Sequence, residues 1–504
     1  MTQREDGYLL PRRDTLLALI GVLLGMLLAA LNQTILATAL PRIVEDVGGA
    51  EHYAWVFSGY MLAVAVTTPI YGRLSDIYGR RPFFVTGIGL FIVGAVVGAT
   101  ASSMLQVVLA RAIQGLGAGA LMPLAFATIG DLVPASDRGR WQGLTGAVFG
   151  VASVIGPTTG GWIADNADWR WVFLVSLPVS LVALAFIVTT LRIPPHPDRG
   201  THVDYTGAVL LAAGLSVTLL ATVRGGQDAP WGSAQIVGLF AAGAVLLVAF
   251  VAWERRQEQP IVPIDLFRGR TVGFATLAGF FTGMGMFGTI VFVPLFMQGA
   301  LGDSATSAGL VLAPLMLAMV VTSAGSGQII TRTGRYRWAL LSGPVVVGAG
   351  FAMLATLDVH SGRLQATLAM VVVGLGLGLL MQNLVLAIQN SVPSRHMGAA
   401  TSAAQLSRSL GNSVGVSVMG AILLAGLPAG GGLGTLTGAG GPPGDGAALA
   451  DALHPVFMLG VPLMAITLGL VALIPETPLR RAVRDDVAAP QPPEPARRDS
   501  AMAA

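Results

Sequence analysis

The stretch GRLSDIYGRRP, Gly72 to Pro82, lies between two long apolar runs, Tyr53–Tyr71 and Phe83–Ala101. Four charges and two glycines in eleven residues would make an ordinary turn on a water-soluble protein. Here the flanking runs are each about 20 residues long, the length at which a helix crosses the ~30 Å hydrocarbon core of a bilayer. A charged loop between two such runs cannot remain in lipid. It marks one face of a membrane and sets the direction of both neighbours.

The same alternation continues outward in both directions. The chain has 504 residues, of which 54% are apolar and 11% charged. Its apolar residues fall into about fourteen blocks of spanning length. They lie near 15–40, 53–72, 82–102, 106–131, 141–164, 170–191, 206–223, 233–253, 271–297, 305–330, 338–357, 364–390, 398–425 and 454–474. A closed β-barrel is the other way to span, and the short alternating segments it needs are absent. An all-α membrane protein with 14 transmembrane helices is therefore expected.

Every basic side chain other than His is Arg. If residues 1–14 lie inside, 23 of the 29 arginines fall in inner loops or tails, against Arg42, Arg170, Arg224 and Arg363 outside. This bias places both termini in the cytoplasm of a cell-membrane protein and requires an even number of crossings. The net charge of +3 is explained by that topology and gives no reason to expect nucleic acid. Thr15–Leu40 is too long for a signal-peptide core and lacks a cleavage site, so it should persist as the first span. With no cysteine, disulfides, thiolate metal sites and catalytic thiols are excluded.

Two pairs of segments repeat. GLGAGALM at Gly115–Met122 matches GLGLGLLM at Gly374–Met381, and GRLSDIYGR at Gly72 pairs with GQIITRTGR at Gly327. Their separations, 259 and 255 residues, are close enough to indicate a duplicated six-helix unit. Small residues recur wherever membrane helices pack, which is the simpler origin of such likeness. The expected organisation is a cytoplasmic N-terminus at 1–14, a six-helix bundle at 15–192, two inserted helices at 206–253 and a second bundle at 271–474. An outer Gly-rich loop at 426–453 and a disordered cytoplasmic tail at 475–504 complete it.

Several stretches resemble known signatures. Gly72, Asp76, Gly79, Arg80 and Arg81 resemble the cytoplasmic loop of the major facilitator superfamily, with Ile77 where that family usually has Arg. An anion such as Asp76 suits the free N–H groups of a helix N-terminus, and the start of the span at 398–425 is the candidate. Arg80 is expected to pair with Asp131, so that the group latches the two bundles. A solvated turn with topogenic arginines is the alternative. Arg111, Gln114, Gly115, Gly117 and Gly119 resemble the Arg-x-x-Gln-Gly signature of the fourth helix. An Arg there needs a cavity or a partner. Gly156, Pro157, Gly160 and Gly161 match the Gly-Pro-x-x-Gly-Gly segment associated with antiporters, where Pro kinks the helix. A glycine-rich packing face accounts for it equally well on physics alone.

ALNQTILATALP, in the first span, is similar to the signature of fourteen-span drug:proton antiporters of the EmrB/QacA type. Asn32 stands where that family usually has a titratable Asp. No Asp, Glu or His lies near the middle of any span, so protons are a candidate partner without an evident site. Gln405, Arg408 and Asn412 share one helix face and are candidate cavity residues, as Gln382, Asn383, Gln389 and Asn390 are. Such side chains also hold membrane helices together. The Met- and Phe-rich segment at 280–292 suits varied apolar ligands or simple lipid contact.

The resemblance implies a major facilitator fold and a monomeric exporter of amphipathic small molecules, neutral or anionic, by alternating access. A protein moving a lipid or envelope precursor between leaflets is the rival, and a non-transporting sensor a third reading. No nucleophile–base set, nucleotide loop or metal cluster points to an enzyme or a cofactor.

Overall fold

A computed structural model describes residues 12–48, 53–191, 204–225, 229–230, 232–257, 260–262, 264–301, 311–393, 396–426 and 445–476. Among them are sixteen helices and one isolated β-bridge, Gly225–Ala229. In chain order the helices are α1 Arg12–Val47, α2 Tyr53–Tyr78, α3 Arg80–Ala99, α4 Met104–Leu132, α5 Ala135–Asn166, α6 Trp171–Leu174, α7 Ser176–Thr190 and α8 Tyr205–Arg224. They continue as α9 Ala234–Glu254, α10 Asp265–Arg268, α11 Arg270–Gly299, α12 Leu312–Thr333, α13 Arg337–Ala355, α14 Arg363–Ser391, α15 Met397–Gly426 and α16 Asp445–Ala472.

Long helices are the expected response of these blocks to lipid, because each backbone polar group must be satisfied within its own segment. Polar residues set the ends. Ser103 accepts from the Gln106 N–H at the start of α4, Asp204 from Gly207 at α8, and Ser233 from Ile236 at α9. The turn inside GRLSDIYGRRP is made by Gly79, whose φ of 90° lies outside the range that suits a side chain.

Eleven stretches among the described residues are long and apolar enough to cross a membrane. The other long helices, α2, α5 and α15, carry Gly, Ser and Thr along their lengths. Those residues face neighbouring helices: Gly143 and Gly150 of α5 lie against Ala324 and Val320 of α12. The sixth expected span, 170–191, is drawn as α6 and α7. The loop expected at 426–453 lies partly outside the described residues, but from Asp445 it is already helical. Its Ala- and Leu-rich stretch AALADALHP carries α16 back well beyond the expected start at 454.

Helices α1–α7 pack together, as do α11–α16, with α4 and α14 at the two centres. Their spanning windows are 83% and 78% buried, against 17% for α9, which presents Val245 and Val248 outward as lipid contact requires. The glycines of the two repeated octets make equivalent approaches. Gly115 meets the Tyr60 carbonyl of α2 where Gly374 meets the Leu315 carbonyl of α12. Gly117 meets α3 at Phe91 where Gly376 meets α13 at Val347. The octets therefore occupy corresponding places in two like-packed groups. Helices α8 and α9 pair with each other; α8 lies on α2 and touches α15. The groups meet along two seams, α2 with α15 and α5 with α12.

Candidate functional site

At the arginine-rich end of the first seam, the turn at Gly79 folds Arg80 back beneath α2. Arg80 Nη1 lies 2.6 Å from Asp76 Oδ1, and its Nε donates to Asp131 Oδ2 of α4 at 2.7 Å. Asp76 reaches across the seam: its two oxygens accept from the backbone N–H groups of Gly398 and Ala399 at 3.0 and 2.9 Å. Those are unpaired donors of the first turn of α15, where the helix dipole favours an anion. Asp76, Arg80 and Asp131 are 3%, 2% and 5% exposed, so these are buried ionic contacts and not a solvated turn.

The approach requires glycine on both sides. A Cβ on Gly398 would stand 2.6 Å from Asp76 Oδ1 and from the Gly72 carbonyl, and one on Gly72 would strike Ser402. Arg81 is not part of this group; it is exposed and donates to the Val188 carbonyl of α7 at 2.6 Å. Buried Arg138, which the sequence reading did not single out, donates to the Gly130 and Val133 carbonyls. A basic residue just beyond a helix C-terminus was the available signal. Gln389 of α14 donates to the Phe126 carbonyl of α4 at 2.8 Å, and the Arg140 N–H donates to Thr331 Oγ1 across the second seam. Both seams are thus closed at this end.

Deeper in the first group, Arg111 is 1% exposed. Its Nη1 donates to Asn32 Oδ1 and, at 3.2 Å, to Gln114 Oε1, and its guanidinium lies 4.1 Å from the centre of the Tyr60 ring. Nη2 of Arg111 and Nε2 of Gln114 are buried without a hydrogen-bond partner among the described residues. No carboxylate there makes an ion pair with this guanidinium. Tyr60 is the member that sequence reasoning missed; its aromatic face on α2 pointed to nothing without its neighbour.

In the second group, Arg408 Nη2 donates to Gln405 Oε1 at 2.6 Å, and Gln405 Nε2 lies 3.9 Å from Met122 Sδ across the interface. Gln405 and Arg408 line a small hollow with Met381 and Thr282. Asn412 turns instead towards the α11 backbone at Gly283. Asn383 and Gln389 hold helices together, bonding Ser326 and Phe126. Met284 and Phe292 are buried in the core of the second group. Gly156 and Gly160 are buried on α5, which stays helical through Pro157 and Gly161.

At the opposite end, Trp169 and Arg170 of the WRWVF segment donate to Asp46 at 2.9 and 3.2 Å, and Arg170 also bonds the Ala101 carbonyl. The Trp169 indole, then Arg170, hold the Asp46 carboxyl below its ordinary range. Among the described residues no cluster suits a metal ion.

The family model for the Major Facilitator Superfamily matches residues 22–416. The chain is 39% identical over 409 residues to the multidrug transporter protein MdtP of Bacillus subtilis, covering 81% of this chain and 75% of that protein. It is 37% identical to multidrug resistance protein 3 of the same organism, covering 81% and 80%. In structure it resembles the human organic anion transporter MFSD10, with a TM-score of 0.65 at 17% identity, covering 92% of this chain and 100% of that one. Apolar helices, two like-packed helical groups and these matches agree: the chain is a multi-pass membrane transporter, not an enzyme, and belongs to the Major Facilitator Superfamily.

Proposed function

We propose that this transporter is a fourteen-span exporter of amphipathic small molecules in the cell membrane, with both termini cytoplasmic, working as a monomer by alternating access between its two helical groups. The multidrug relatives support efflux. The arginine bias supports the orientation, and the length and packing of α2, α5 and α15 support their being spans too. The observation that carries the mechanism is the buried bridge from Asp76 to the start of α15, which joins the two groups at one end only and must break for that end to open.

Arg111, buried without a carboxylate, favours neutral or anionic cargo over hydrophobic cations. The Gly156–Gly161 segment favours antiport. Asn32, in place of the usual acid, leads us to expect that a pH gradient drives it weakly. Transport into inverted vesicles, with a panel of anionic, neutral and cationic amphipaths and a lipid, tests the reading. Preferential uptake of the anionic and neutral compounds is expected. Uptake restricted to the lipid would favour movement between leaflets, and preference for cations would overturn the charge argument.

A further inference from the structure

The α8–α9 hairpin is not part of either helical group, and its foot holds two acids that the transport reading does not use. Glu254, the last residue of α9, is 2% exposed. Its Oε1 accepts from the Val262 N–H at 2.8 Å, while Oε2 is buried with no hydrogen-bond partner among the described residues. Beside it stands Asp204, which caps α8 and accepts from the Trp253 indole at 2.9 Å. A carboxylate withdrawn from water with one oxygen unsatisfied resists ionisation, and a proton relieves it. Glu254 also walls an open hollow at the arginine-rich end, which gives protons a route.

The other charged groups around this acid are Arg255, Arg268, Asp265 and His396 on the wall of the hollow, and Arg73 from α2. Arg73 matters most. Its Nε is buried without a partner among the described residues, and it lies within electrostatic reach of both Glu254 and Asp76. One cation on α2 thus stands near both the hairpin acid and the bridging acid.

We propose that Glu254 is a protonation site that controls the Asp76 bridge through Arg73. Ionised, Glu254 holds Arg73 and leaves Asp76 to α15. Protonated, it frees Arg73 to compete for Asp76, and the closed end loosens. The site answers to pH on the arginine-rich side whether or not a gradient is present. It rests on the reading of the bridge as the contact that must break.

The full chain lacks cysteine, so Tyr78→Cys on α2 and Thr333→Cys on α12, both exposed, mark the two groups for spin-label distance measurements in nanodiscs. Acidification from about pH 8 to about pH 5 should lengthen this distance, with a midpoint that Glu254→Gln abolishes or moves by at least about one unit. Glu254→Asp should restore it. Asp76→Asn is the control for the bridge. If it leaves the distance unchanged at every pH, the bridge reading fails. If it lengthens the distance while Glu254→Gln keeps the wild-type pH response, the protonation site alone is overturned.

Discussion

Asp76→Asn removes the charge from the contact between the two helical groups without changing its size. In the closed form Asp76 accepts two N–H bonds from α15 and faces Arg80 at 2.6 Å. A hydrogen bond to a charged group is worth about 1.5–3 kcal/mol. The dipole of α15 adds up to roughly 1–2 kcal/mol for an anion in a partly buried site. Asn keeps one weak acceptor, and its amide would face N–H donors. Arg80 retains Asp131, which limits the damage. In the open form these groups are hydrated, so the loss falls on the closed form, and we expect about 3 kcal/mol. At 1.4 kcal/mol per tenfold change, that is about a hundredfold shift towards the open end. The Tyr78–Thr333 label pair reads the populations directly. A shift under about threefold, in protein whose melting temperature is unchanged, would refute the claim that this contact holds the end closed.

Three further outcomes follow from the same contacts. Asn32→Asp puts a carboxylate against Arg111, and should raise the dependence of vesicle transport on a pH gradient; an unchanged dependence places any coupling elsewhere. Gly115→Ala and Gly378→Ala each bring a methyl to 2.5 Å from a backbone carbonyl, of Tyr60 and Met319 respectively, and should each cost about 1–3 kcal/mol, seen as similar falls in melting temperature. Asp46, whose folded carboxyl lies below its ordinary range, favours its folded corner above about pH 4 and loses that contribution as pH falls through the folded value. Melting curves of Asp46→Asn should therefore lack part of the wild type's loss of stability in acid.

The bridge could be read from the sequence because its chemistry is local. Asp76, Gly79 and Arg80 fall within a few residues, and Asp131 stands at the end of α4. Spans could be read wherever lipid dictated composition. Glu254 read as an interface acid, since a span's last residue normally meets water. Its burial comes from residues 260–262 folding back over it, which no periodicity records. Tyr60 over Arg111 and Met122 beside Gln405 were likewise invisible, because both are pairings between separate helices.

The bridge also has a bearing on how the protein is made. Arg80 and Asp131 are 51 residues apart and can pair as soon as α4 has been inserted. Asp76 and Gly398 are 322 residues apart. At roughly 5–20 residues per second of synthesis, the finished N-terminal group waits about 15–60 s before α15 can meet Asp76. During that interval Asp76 has Arg80 as its partner but lacks the two N–H donors that α15 later supplies. Ribosome pausing between α4 and α15 would prolong the state in which the bridge is half made.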